Sequence, residues 1–346
     1  MIAVLGLALA LWGLGHLLRS PVRLRLTMIG FLWLAVVGLH LLLPDGHPLR
    51  LATGTSAQVW LVLGGVLAFV LGYRSLLGRL RARADKTVAP EPTPPGKMSA
   101  PELERYARHI MLREIGGAGQ KRLKAARVLV IGAGGLGSPA LLYLAASGVG
   151  TIGVMDDDTV DATNLQRQII HSDDRIGLPK VQSALEAMKA LNPYVTLRPY
   201  QRRLDAASAA VLDDYDLILD GSDNFDTRYL ANQLAVAAKK PLVSAAITQW
   251  EGQISVYDPA QGGPCYECVF PARPAPGMVP TCAEAGVASP LPGIIGAMMA
   301  MEAVKVLTGA GESLRGRLMI YDALYAEARV IGMKPRADCP ICAARP

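Results

Sequence analysis

Arg127-Val-Leu-Val-Ile-Gly-Ala-Gly-Gly-Leu-Gly137 is the stretch that decides how this chain folds. Val128 to Ile131 is apolar, largely β-branched and free of turn residues, the pattern of a strand buried on both faces of a parallel sheet. Gly132, Gly134 and Gly137 follow with the Gly-x-Gly-x-x-Gly spacing: one glycine for a tight turn, one for close backbone approach to a phosphate, one for helix–strand packing. A helix from about Leu136 to Ser147 would then face that phosphate with free N–H groups and the positive end of its dipole. A glycine-rich turn alone can produce such spacing. Here, however, a second strand, Thr151 to Met155, ends in Asp156, where a nucleotide-binding βαβ unit places the carboxylate that bonds ribose hydroxyls. A solvated acidic loop over Asp156, Asp157 and Asp158 does not account for the glycines.

Downstream of this unit, Asn164-Leu-Gln-Arg167 falls in a polar loop, and Pro179-Lys180 opens a helix that stops at Asn192-Pro193. Short strands are expected at Val195–Leu197, Leu217–Leu219 and Pro241–Ser244, with a helix from about Asp226 to Lys239 between the last two. The alternation predicts a doubly wound, Rossmann-like α/β sheet. Asp220-Gly-Ser-Asp223-Asn224 ends the fourth strand at the carboxyl edge, where open α/β sheets bind ligands. A dehydrogenase needs the glycines and the ribose carboxylate but not a further Asn, Arg, Lys and Asp at the phosphate side. Arg167 and Lys180 suit charge developing on a triphosphate, and Asp223 suits Mg²⁺. Taken singly, these are a surface charge, a helix-start residue and a turn former.

Arg105-Tyr-Ala-Arg108-His-Ile, Gly132-Ala-Gly-Gly-Leu-Gly137-Ser-Pro, Asp161-Ala-Thr-Asn164-Leu-Gln-Arg167-Gln, Pro179-Lys180-Val, Asp220-Gly-Ser-Asp223-Asn224 and Thr281-Cys282-Ala-Glu-Ala-Gly286 together resemble the ThiF/MoeB/HesA branch of the ubiquitin-activating-enzyme superfamily, most nearly the molybdopterin-synthase adenylyltransferases. The resemblance covers about Met98 to Pro346. It implies ATP-dependent adenylation of the C-terminal glycine carboxylate of a small ubiquitin-like sulfur carrier ending in Gly-Gly, with pyrophosphate released. It further implies ATP and Mg²⁺ bound by Gly132, Gly134, Gly135, Gly137, Asp156, Asn164, Arg167, Lys180, Asp223 and Asn224. Asn164, Arg167, Lys180 and Asp223 would serve catalysis, and Arg108 would reach the partner subunit's ATP site in a homodimer. That chemistry is consistent with the residues: a carboxylate is already ionised at neutral pH, so alignment and charge stabilisation are needed rather than a general base. The five histidines are accordingly not expected to be central. Two departures stand out: Asp156-Asp157-Asp158 has an acid where an apolar residue commonly separates two acids, and an apolar segment precedes the domain. No sulfurtransferase domain follows, so a separate sulfur donor is expected. The carrier's pathway, molybdopterin, thiamin or another, is left open.

Cys265-Tyr-Glu-Cys268 and Cys339-Pro-Ile-Cys342 form two Cys-x-x-Cys knuckles, the pattern of a closed, structural four-thiolate Zn²⁺ site. Disulfides are the alternative, disfavoured if the domain is cytoplasmic. Such a zinc would pin the C-terminal part to the sheet. Cys282 is left over in a loop rich in proline and glycine, and in related enzymes a cysteine here can take up the acyl group or a sulfur. A free thiol is reactive only with a lowered pKa. Met298, Met299 and Met301 read as core packing.

The front of the chain accounts for its 51% hydrophobic content and mean hydropathy of +0.28. Ile2–Leu18, Met28–Leu43 and Val59–Gly72 lack acidic or basic residues and predict three membrane spans. A signal peptide would carry its charge before the apolar run, not after it at Arg19; a buried hairpin is the other alternative, since His16 and His40 interrupt two runs. Residues 1–86 hold nine basic residues against Asp45 and Asp85, a net of +7, whereas the whole chain carries +6. The basic balance therefore belongs to the anchor and gives no support to nucleic-acid binding. Arg19, Arg23 and Arg25 after the first run and five basic residues after the third place the N-terminus outside and the rest in the cytoplasm, at the inner membrane. Residues 87–97, with four prolines, read as a linker. Ser99-Ala-Pro-Glu102 then opens the catalytic domain, 98–346, with a capping box. Two other functions compete with adenylation: a nucleotide-dependent oxidoreductase, and a non-catalytic membrane docking module that keeps the fold and the metal.

Overall fold

A computed structural model describes residues 2–18, 20–54, 56–87, 98–275, 278 and 282–343. The chain divides into two compact units, 1–91 and 92–346. All four prolines expected to form a linker lie outside the described residues.

The first unit is helical: α1 (Ile2–Leu17), α2 (Val22–Leu42), α3 (Pro48–Thr53) and α4 (Ala57–Thr87). Within α2 and α4, Leu24–Leu42 and Ala57–Arg79 are long and apolar enough to cross a membrane. The first predicted span is shorter than expected, because the helix stops after 16 residues, about 24 Å at 1.5 Å per residue. Helix α3 was not anticipated; Pro48 starts it, and His47 caps it by accepting the Leu49 N–H at 3.3 Å. The core is small: Val4, Val36, Val37 and Trp60 are buried, whereas Phe31 (65% exposed) and Phe69 (74%) face outward. Polar groups are tied locally. Trp33 Nε1 donates to the Trp60 carbonyl (2.9 Å), Trp60 Nε1 to the Thr53 carbonyl (3.2 Å), and Arg50 pairs with Asp45 at 2.7 Å.

The second unit opens with α5 (Ala100–Arg105), whose N-cap Ser99 and Glu102 form the expected capping box, then α6 (Ala107–Ile110) and α7 (Gly116–Ala125). One eight-stranded sheet follows, in the order β3-β2-β1-β4-β5-β6-β7-β8. Strands β1 (Arg127–Ile131), β2 (Thr151–Met155), β3 (Thr196–Tyr200), β4 (Leu217–Asp220) and β5 (Leu242–Ile247) are parallel; each starts within a residue of its predicted place, and β3 and β5 run three residues beyond their predicted ends. Three antiparallel strands extend the sheet beyond them: β6 (Glu251–Tyr257), β7 (Arg317–Asp322) and β8 (Glu327–Gly332).

Strand β1 is buried on both sides, as its composition requires. Val128 and Val130 enter the core on one face, where α8 (Gly137–Ser147), α9 (Lys180–Leu191) and α14 (Pro290–Thr308) pack. Leu129 and Ile131 enter the core on the other, beneath α10 (Ala209–Leu212) and α11 (Phe225–Ala237). Helix α14 is itself long and apolar enough for a membrane. Leu291, Ile295, Met299 and Ala303 are nevertheless buried against the sheet, so packing explains its composition. Of the three methionines expected in the core, Met299 is fully buried, Met298 packs at its edge and Met301 is exposed, because it falls on the outer side of α14. Because β1 continues to β2 on one side while β4 lies on the other, the strand order reverses at β1 and β4, and a crevice opens at their carboxyl ends.

Candidate active site

A cavity of about 620 Å³ occupies that crevice. Gly132, Gly134, Gly135, Asp156, Arg167, Lys180, Asp223 and Asn224 all line it, so residues spread over nearly a hundred positions converge as their spacing implied. The loop geometry is set by two glycines. Gly132 has φ +92°, where a side chain would be strained, and a Cβ on Gly137 would stand 1.9 Å from the Gly132 carbonyl oxygen. Gly137 thus lets α8 press against the loop rather than touching the cavity.

Each polar residue is oriented by a definite partner. Asp156 accepts the Ala133 N–H through Oδ2 (2.7 Å) and the Asp158 N–H through Oδ1 (2.9 Å). Its pKa is raised by burial, against which the two backbone bonds and the Lys180 charge act. Lys180, 5% exposed at the start of α9, donates from Nζ to Asp158 Oδ2 at 2.7 Å. Asn164 sits outside the cavity and holds Arg167 in it, accepting from Nη2 through Oδ1 at 2.8 Å. Asn224 caps α11 by accepting the Thr227 N–H at 2.8 Å. Asp223 is exposed to the cavity, and among the described residues nothing pairs with it. An unpaired carboxylate beside a glycine loop suits Mg²⁺, which binds through one or two carboxylates together with phosphate oxygens.

Besides Gly137 and Asn164, two further expected residues are not among the described residues that line the cavity. Arg108 is exposed on α6 and is absent from the lining of its own chain's cavity. Cys282 begins the short helix α13 (Cys282–Ala285), and its side chain lies outside the described residues.

The structure also adds residues that local pattern did not reveal. Asp220 is fully buried, accepting the Ser222 N–H (3.0 Å) and the hydroxyls of Ser222 (2.5 Å) and Ser244 (2.8 Å). Arg228, buried in the cavity wall, donates from Nη2 to the Ser222 carbonyl (2.8 Å), with Nε 3.5 Å from Asp220. These contacts brace the turn that presents Asp223. The signal was an arginine four residues after Asn224, among residues that had to be buried. His171 is also buried; Nε2 lies 2.9 Å from the Ala133 carbonyl and Nδ1 2.9 Å from Ser183 Oγ.

The four paired cysteines also meet. Cys265 is the N-cap of α12 (Tyr266–Val269), Cys268 lies within it, and the tail after β8 brings Cys339 and Cys342 to them. Sulfur separations are 3.8 Å (Cys265–Cys268), 3.6 Å (Cys265–Cys339) and 3.3 Å (Cys268–Cys342). A tetrahedron with Zn–S bonds of about 2.3 Å has edges of about 3.8 Å, so the cluster has the size of a zinc site, and a disulfide, at about 2.05 Å, is not formed. Burial works to raise the Cys339 thiol, but the backbone N–H groups of Cys342 and Ile341 outweigh it and hold it at about 7.

Residues 106–341, well over half of the chain, match the ThiF family. The chain belongs to the ThiF family. It is 48% identical over 250 residues to the sulfur carrier protein adenylyltransferase of Thermus thermophilus, covering 71% of this chain and 92% of that one. Against the SAMP-activating enzyme E1 of Haloferax volcanii the figures are 47% over 246 residues, 71% and 90%. It is also 50% identical over 251 residues to the probable adenylyltransferase/sulfurtransferase MoeZ of Mycobacterium tuberculosis, 64% of whose length it spans. Among solved structures, E. coli MccB is similar with a TM-score of 0.62 at 22% identity, covering 72% of this chain and 74% of that one. That likeness speaks for the ThiF-family fold alone.

Proposed function

We propose that this ThiF-family adenylyltransferase activates the C-terminal carboxylate of a small ubiquitin-like sulfur carrier with ATP, at a membrane surface. The convergence of Asp156, Arg167, Lys180 and Asp223 on one glycine-loop cavity carries this reading. A carboxylate oxygen of the carrier attacks the α-phosphorus, the bond from that phosphorus to the bridging oxygen breaks, and pyrophosphate leaves with its electron pair. The product is a carrier acyl-adenylate. No proton is transferred, which suits a cavity whose cations Arg167 and Lys180 are held by Asn164 and Asp158 respectively and in which no base is required. Both are therefore preorganised to meet charge that grows on the departing pyrophosphate. Asp223 would hold Mg²⁺, which when bound neutralises phosphate charge.

The carrier we assign is the small subunit of a molybdopterin synthase, with a thiamin-pathway carrier as the alternative. Zn²⁺ in the four-cysteine cluster would fix the tail against α12. Arg108, exposed and away from its own cavity, is assigned to the partner's site in a homodimer. Helices α2 and α4 would cross the inner membrane, leaving the catalytic unit in the cytoplasm. The deciding experiment is carrier-dependent exchange of labelled pyrophosphate into ATP. Exchange with a candidate carrier ending in Gly-Gly, abolished by deleting its last glycine, is expected. Exchange that ignores the carrier, or none with any such protein, overturns the reading.

A further inference from the structure

The glycine loop is fastened by a ring of contacts. Lys180 donates to Asp158 (2.7 Å), the Asp158 N–H donates to Asp156 (2.9 Å), and Asp156 accepts the Ala133 N–H (2.7 Å). On the other side of Ala133, its carbonyl meets His171 Nε2 at 2.9 Å, and His171 Nδ1 meets Ser183 Oγ at 2.9 Å. Ser183 stands on α9, one turn after Lys180, so the ring closes on the helix from which it started. A carbonyl can only accept, so Nε2 carries a proton; burial holds the pKa of the imidazole below the ordinary histidine value, and in the neutral form Nδ1 accepts the Ser183 hydroxyl. Ala133 and Ser183 are fully buried and His171 nearly so, leaving water no part in these bonds.

The Ala133 carbonyl belongs to the same rigid, trans peptide as the Gly134 N–H. Fixing one end fixes the other, in the opposite direction. Gly134 lines the cavity, and among the described residues nothing accepts its N–H. We propose that His171 is a positioning residue of the adenylation site: by holding the Ala133 carbonyl it aims the Gly134 N–H at a phosphate oxygen of the nucleotide, and it locks that loop to the helix start carrying Lys180. This rests on the reading of the cavity as the ATP site.

The neutral imidazole is the form the site favours, because a proton on Nδ1 would turn the Ser183 bond around, from hydroxyl donor to acceptor, and add a buried positive charge on the side of Lys180 and Arg175. Burial lowers the His171 pKa, the Ala133 bond opposes this, and the charges of Lys180 on α9 and Arg175 in the preceding turn add to the lowering. Asp156 is the acid on the far side of Ala133.

The test is pyrophosphate exchange by the full chain with His171→Phe and His171→Gln. His171→Phe keeps bulk and removes both bonds, so the KM for ATP should rise about tenfold or more, the effect of losing a buried hydrogen bond, while the KM for carrier changes less than about twofold. His171→Gln, whose amide N–H can reach the Ala133 carbonyl, should recover most of the ATP affinity. A folded His171→Phe protein with wild-type KM for ATP overturns the inference, since a merely structural histidine would alter only melting. If the phenylalanine variant does not fold, the pH series decides. Wild-type KM for ATP should rise as pH falls below the ordinary histidine range, and His171→Gln should lack that rise; the same rise in both overturns the inference. A wild-type protein without carrier-dependent exchange overturns the underlying ATP-site reading instead.

Discussion

At the scale of single residues, the site separates groups that bind from groups that act on the transition state. Asp156, pinned to the loop by two backbone N–H groups, would meet the ribose equally before and during reaction, so Asp156→Ala should raise the KM for ATP with kcat little changed. In the proposed reaction Arg167 and Lys180 would meet charge that appears as pyrophosphate departs. Losing either preorganised donor should cost a hundredfold or more in kcat, about 3 kcal/mol. Asp223→Ala should abolish exchange through loss of Mg²⁺. Steady-state exchange kinetics check all three, and an Arg167→Ala protein exchanging at the wild-type rate would show the assignment to be wrong. His171 adds a pH dependence of stability. Its folded pKa is below that of the unfolded chain, so in that window the unfolded state binds the proton. The contribution is complete above the ordinary histidine value and is lost as pH falls through the lower, folded value. The melting temperature should drop over that acid window, and His171→Gln should flatten the drop. The residues missed by sequence share a cause. Asp220, Arg228 and His171 act through partners on other elements, and nothing local marks a buried histidine as bonded to a loop carbonyl rather than merely packed.

At the scale of elements, legibility followed period and punctuation. β1, β2, β4 and β5 are short apolar runs set off by glycine, proline or acidic residues, and α9 is bounded by Pro179 and Asn192, so their starts could be placed closely; β3, Thr196-Leu-Arg-Pro-Tyr200 at the sheet edge, is partly exposed and polar, and its end was not marked. β6 buries Ile254 and Val256 under α14 but runs antiparallel to β5, so the strand–helix alternation that marks β1 to β5 does not extend to it. β8 had weaker signals: each of its residues is exposed, so no buried face disciplines its pattern. The cysteine spacing, by contrast, predicted a tertiary contact outright, because four thiols in two knuckles have few other uses. The wild-type protein should carry one zinc per chain, and Cys265→Ser or Cys342→Ser should remove it and lower stability, since metal binding is part of the folding free energy. Elemental analysis of reduced protein checks this; absence of zinc in the wild type sinks it. Gly137→Ala should be more damaging still, because its Cβ would collide with backbone rather than with a side chain able to move. Loss of soluble protein or a large fall in melting temperature is expected, whereas a wild-type melt would show that α8 can shift off the loop.

At the scale of the whole molecule, the sidedness of the catalytic unit does not depend on how α1 is disposed. Among the described residues of the first unit only α2 and α4 are long and apolar enough to span, and the 14-residue connection 43–56 between them carries just Arg50 and Asp45, which pair with each other. Arg19, Arg23 and Arg25 precede or open α2, and Arg74, Arg79, Arg81, Arg83 and Lys86 lie on the last turns of α4. With 31 residues, α4 is about 46 Å long, well beyond the roughly 30 Å of a hydrocarbon core, so its basic end has length to emerge. If both cross, two spans with both ends basic are expected to put both ends on the cytoplasmic side. Whether α1 crosses alters only the side on which Met1 lies. The prediction follows that full-length protein stays in the membrane pellet after alkaline carbonate extraction, with the catalytic unit sensitive to protease only from the cytoplasmic face. A chain beginning at Met98 should be soluble and should retain carrier-dependent exchange with kcat within about twofold of the full chain, because every residue assigned to the site lies after that point. Release of the full chain by carbonate would remove the spans from the argument. Loss of exchange in the folded, truncated protein would show that the first unit contributes to catalysis itself.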